Sequence, residues 1–108
     1  MGRQIIFLPE FIDYLDELSF KLYKLDYFGF KDSAKRYTDK IIEFCQQKVG
    51  VLTGKEAPAH FIIYGENMKY VIYNPNKQTS WYIFYQKYEN KYIVRYITNN
   101  HVSAHLFT

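Results

Sequence analysis

Three runs decide the fold: Met68-Lys69-Tyr70-Val71-Ile72-Tyr73, Ser80-Trp81-Tyr82-Ile83-Phe84-Tyr85-Gln86-Lys87 and Lys91-Tyr92-Ile93-Val94-Arg95-Tyr96-Ile97-Thr98-Asn99. Aromatic and β-branched side chains dominate each run, and turn-forming clusters separate them, so they read as three consecutive antiparallel strands. The second gap, Tyr88-Glu89-Asn90, is short enough for a hairpin. Side chains two apart share a face of a strand. That rule collects Met68, Tyr70, Ile72, Trp81, Ile83, Tyr85, Tyr92, Val94 and Tyr96 on one side. On the other it collects Lys69, Val71, Tyr73, Tyr82, Phe84, Gln86, Ile93, Arg95 and Ile97. The uncharged set is expected to face the core. The second set, apolar, aromatic and cationic together, is expected to carry function.

Working outward, Ala59 to Tyr64 reads as a further strand, turned at Gly65-Glu66-Asn67 into the run of Met68. Before it, Val51 to Pro58 reads as a loop with two breakers. At the start, Ile5-Ile6-Phe7-Leu8 ends at Pro9, the pattern of a short buried strand followed by a helix that opens on proline. Phe11, Tyr14, Leu15, Leu18, Leu22 and Leu25 recur at helical spacing, and that helix is expected to stop near Gly29. A second helix begins at Asp32 or Ser33, carries the stripe Ala34, Tyr37, Ile41, Phe44 and Cys45, and closes at Gly50. The fold class is therefore α+β: an N-terminal strand, an antiparallel helical hairpin, then a three- to four-stranded antiparallel sheet.

At 108 residues, residues 1–108 form one domain, which buries roughly 65% of its unfolded surface. Fourteen Lys and Arg against eleven Asp and Glu give +3, which permits an anionic partner without demanding one. Twelve tyrosines and nine phenylalanines are the louder feature, and they suit a packed core, a base-stacking platform or a protein-binding surface. The single Cys45 has no disulfide partner and sits in an apolar stripe, as a buried thiol in a reducing compartment would. No apolar run reaches the roughly 20 residues of a membrane span and no signal-peptide pattern opens the chain, so a cytoplasmic protein is expected. No glycine-rich phosphate loop or metal-ligand spacing is present, and no cofactor or metal is expected.

The paired strands, above all Trp81-Tyr82-Ile83-Phe84-Tyr85 and Tyr92-Ile93-Val94-Arg95-Tyr96-Ile97 leading to Asn100-His101, resemble those of the RelE/ParE superfamily of toxins from bacterial toxin–antitoxin pairs. The strand, helical hairpin and sheet order resembles that family over essentially the whole chain. The resemblance implies a toxin with a cognate antitoxin partner. It also implies either a metal-independent endoribonuclease that cuts mRNA on the ribosome and so inhibits translation, or a non-catalytic ParE-like inhibitor of DNA gyrase, or a degenerate toxin that only binds antitoxin. In the nuclease reading His101 is the acid or base, Lys69 and Arg95 neutralise phosphate, and Tyr73 or Tyr82 stacks the substrate base. The nuclease is the first expectation; where many nucleases of the family carry arginine after the first aromatic of the central strand this chain has Tyr82, a departure that speaks for the gyrase-inhibiting alternative.

Overall fold

The structure, a computed structural model, describes residues 2–24 and 31–103. It opens with strand β1 (Gln4–Phe7) and helix α1 (Pro9–Lys24), followed by α2 (Lys31–Lys48). Strands β2 (Lys55–Glu56), β3 (Lys69–Tyr73), β4 (Trp81–Tyr88) and β5 (Lys91–Asn99) then build the sheet, and a single turn, α3 (Asn100–Ser103), follows β5. The expected stop of α1 near Gly29, with Leu25 in its stripe, lies outside the described residues.

The chain is α+β, but the sheet is mixed and five-stranded, in the order β1-β5-β4-β3-β2. The first strand, expected to be buried, is a sheet edge whose residues are at most half-buried: β1 runs parallel to β5, with Gln4 opposite Lys91 and Phe7 opposite Val94. Parallel pairing needs a long connection; here the helices carry the chain to the far edge at β2, and β3 and β4 bring it back to β5. The remaining three pairings are antiparallel.

Both faces of the sheet are packed. On one lie α1 and α2, whose Phe11, Leu15, Ile41 and Cys45 close over Val71, Trp81, Ile83, Tyr85, Val94 and Ile97. Two side chains pin this layer. Arg3 donates from Nε to the Val49 carbonyl at 2.6 Å and from Nη2 to that of Gln46, bringing a cation to the carbonyl end of α2. Trp81 Nε1 donates to the Tyr37 hydroxyl at 3.0 Å. Gly50, with φ of 87°, turns the chain after α2. A Cβ there would press on the Tyr92 ring, so glycine is required on both counts.

On the opposite face a smaller core joins Phe61, Met68 and Phe84, flanked by Tyr70, Tyr82 and Tyr96. Its lid corrects one expectation: Ala59–Tyr64 is a 3-10 helix, not a strand. Three residues per turn place Pro58, Phe61 and Tyr64 on one side. Phe61 is the residue this helix buries, with its ring 4.6 Å from that of Phe84. The loop expected over 51–58 instead contributes β2, a two-residue edge strand.

Candidate functional site

Strand register decides where each candidate side chain points. Directly opposed residues share a face, and Val71 lies opposite Ile83 while Tyr73 lies opposite Trp81. The face assignment of β3 is therefore the reverse of the one expected: Lys69, Val71 and Tyr73 point to the helix side, and Tyr70 and Ile72 to the second face. The six residues between β3 and β4 hide the phase from simple counting. In β5 the alternation is broken by an irregularity, since Tyr85 pairs with Val94 and Phe84 with Tyr96, which leaves Arg95 as the extra residue. This is the signature of a β-bulge. Past it the faces exchange, so Ile97 enters the helix-side core and Tyr96 joins the second face.

Arg95 lies on the second face, under the end of the 3-10 helix. Its Nε donates to the Tyr64 carbonyl at 2.9 Å and its Nη1 to Gln86 Oε1 at 3.2 Å. Gln86, only 8% exposed, donates in turn to the Glu66 carbonyl at 2.7 Å. The guanidinium thus anchors the lid. Beside it Tyr64 and Tyr96 stack face to face, with centroids 3.8 Å apart and planes 7° from parallel. Burial, helped by the neighbouring Tyr64 hydroxyl, pushes Tyr96 up to about 12, so it is a neutral hydrogen-bonding group at physiological pH and no proton acceptor.

Lys69 stands on the other side of the sheet at a corner, half exposed, with Nζ 3.9 Å from Glu56 Oε2. It is two strands from β5, roughly 10 Å by strand spacing. His101 sits at the opposite end, in α3, about 13 Å or more along β5 from Arg95 at 3.3 Å per residue. Its Nε2 lies 3.1 Å from Thr79 Oγ1. Asn99 caps α3, its Oδ1 accepting from the backbone N–H groups of His101 and Val102. His101 lines a cavity of about 400 Å³ that opens toward Leu18, Tyr37 and Trp81.

Lys69, Arg95 and His101, expected to converge on one free face, therefore lie on two faces and at two ends. A base, a phosphate cation and an acid must all reach one reacting phosphodiester, and this trio does not. Nor do the two tyrosines form a common platform. Tyr73 packs on Phe44 of α2, with ring centroids 4.9 Å apart, and burial raises its pKa. Tyr82 lies on the second face against the smaller core. Among the described residues no group of three or more His, Cys, Asp or Glu is placed to hold a metal ion, and no helix is long and apolar enough to cross a membrane.

Between the N-terminal end of α1 and the 3-10 helix runs a groove of about 400 Å³. Its floor is Arg95, Tyr96 and Ile97, and its walls include Phe11, Tyr14, Ile63 and Tyr64. Ile63 in its wall is 73% exposed, and the next residue of the 3-10 helix, Ile62, is 61% exposed. The 3-10 geometry causes this, because it aims one residue of each turn inward and releases the other two.

No family model, curated protein or solved structure matches this chain.

Proposed function

We propose that the chain is the toxin component of a toxin–antitoxin pair of the RelE/ParE kind, acting by binding its target and not by cutting RNA. The observation that carries the reading is the topology. A first strand is laid parallel to the last strand of the sheet, a helical pair covers one face, and antiparallel strands complete the layer. That arrangement fits the strand and helix order on which the sequence resemblance rests. The separation of Lys69, Arg95 and His101 favours the non-catalytic, gyrase-inhibiting branch over the ribosome-dependent nuclease. The partner is a cognate antitoxin whose apolar segment covers the groove beside Ile62, Ile63 and Tyr64. Contiguous exposed apolar groups of this kind are costly to leave in water, and an extended or helical segment that folds on binding suits such a groove.

Induction of the full chain should arrest growth, and co-expression of the antitoxin should restore it. Purified protein should inhibit supercoiling by gyrase while leaving a cell-free translation reaction running with intact mRNA. His101→Ala, which alters an exposed side chain, should stay fully toxic. Fragmentation of mRNA that disappears in His101→Ala would reverse the reading in favour of the nuclease.

A further inference from the structure

At the helix-side corner of the sheet, away from the groove and from His101, a cavity of about 360 Å³ is bounded by Lys69, Lys87, Tyr85, Tyr92 and the turn that contains Gly54. We propose that this cavity binds a phosphate group, free or carried by a nucleotide, through the two lysine ammonium groups and the Tyr85 hydroxyl. The register brings the cations together. Lys69 lies opposite Tyr85, and Lys87 is two residues further along β4 on the same face. The lysines are thus diagonal neighbours, about 7–8 Å apart at the backbone, with long stems that can close on one anion.

Tyr85 supplies an independent observation. Its side chain is only 4% exposed and sits in the core, yet the hydroxyl makes no hydrogen bond among the described residues. No fully enclosed side-chain polar atom lacks a partner, so the hydroxyl reaches the cavity it lines. Burial, and then the adjacent Tyr92, raise its pKa, so it keeps its proton and can donate to an anion. Gly54 makes room: a Cβ there would overlap the Tyr85 hydroxyl and crowd Lys69 Cβ.

Glu56 is the carboxylate paired with this cluster. It lies 3.9 Å from Lys69, and its side chain is 83% exposed. So loose and solvated a pair contributes little, and phosphate can replace it. Lys87 Nζ also stands 5.8 Å above the Tyr92 ring, a cation–aromatic contact that holds this ammonium at the cavity wall. The cavity volume exceeds what inorganic phosphate fills and leaves space for a nucleoside.

Calorimetric titration of the full chain at low ionic strength tests this, with orthophosphate, adenosine monophosphate and a short single-stranded RNA as probes. Saturable phosphate binding is expected. The double variant Lys69→Gln/Lys87→Gln should weaken it by ~10-fold or more, as loss of charge-assisted hydrogen bonds does. Tyr85→Phe should weaken it severalfold while its thermal midpoint holds or rises, because the hydroxyl has no protein partner to lose. Lys40→Gln, on the exposed side of α2, should bind as the parent does. Tighter binding of the monophosphate than of orthophosphate identifies a nucleotide as the source, and tighter binding still of the RNA identifies a strand. The proposal is overturned if no probe saturates, if Tyr85→Phe binds like the parent, or if Lys40→Gln loses as much as the double variant.

Discussion

Arg95 shows how a residue can be correctly singled out for the wrong reason. An arginine inside a strand otherwise built of aromatic and β-branched residues is conspicuous, and its two hydrogen bonds to Tyr64 and Gln86 show that its guanidinium holds the lid onto the sheet. Arg95→Ala leaves a carbonyl and an amide side chain short of a partner, which should cost about 1–2 kcal/mol in urea unfolding. Arg95→Lys, lacking the planar fork, should recover only part of that. Cys45 was legible in full: an apolar stripe predicts a buried thiol, the residue is 0% exposed, and burial pushes it from 9.0 up to about 12. A folded-state pKa above the unfolded one means that the folded protein holds the proton longer. The corresponding stability is intact below pH 9 and is lost as pH rises from 9 to 12, by up to ~4 kcal/mol. Denaturant midpoints at pH 8 and pH 11 should show this fall, and Cys45→Ala should reduce it, leaving the share that belongs to the tyrosines raised by burial, Tyr96 first among them. The roles assigned to Lys69 and His101 could not be checked against sequence alone, because which face each occupies is a property of register.

At the scale of elements, the three long strands and both helices could be read because their periods persist for many residues. Ala59–Tyr64 could not. A six-residue apolar run bounded by Pro58 and Gly65 satisfies strand and 3-10 patterns alike, and only burial of Phe61 alone, against exposure of Ile62 and Ile63, separates them. Phe61→Ala should therefore destabilise by ~3 kcal/mol, the usual cost of emptying an aromatic site, whereas Ile63→Ala should stay within about 0.5 kcal/mol. Chemical denaturation of the two variants side by side is the check. The bulge between Val94 and Tyr96 was equally hidden, since an extra residue in a ladder leaves no mark on composition. That one irregularity moved Tyr96 and Ile97 to faces opposite those expected, and with them the floor of the groove.

For the whole molecule, the α+β class and the succession of a first strand, two helices and the three long strands followed from the sequence, while the parallel docking of β1 did not, because Ile5, Ile6 and Phe7 carry no sign of their partner strand. The proposed antitoxin contact is a property of this scale, since α1, the 3-10 helix and β5 must all be in place to form the groove. Ile62→Ser/Ile63→Ser should keep the parent's thermal midpoint yet lose at least ~10-fold in affinity for a co-expressed antitoxin, as truncation of central anchors does elsewhere. Pull-down from the co-expressing strain measures it, and unchanged affinity would move the partner off this groove. The pairing of β1 with β5 also sets the timing of folding. Gln4 finds Lys91 only across nearly the full length of the sheet-forming chain, a closure that is slow because its entropy must be met before the contact forms. A nascent chain still missing residues 91–99 has no seat for its first strand. Synthesis of this protein and completion of its sheet are accordingly separate events, and the edge of β5 stays open to any other strand during that interval.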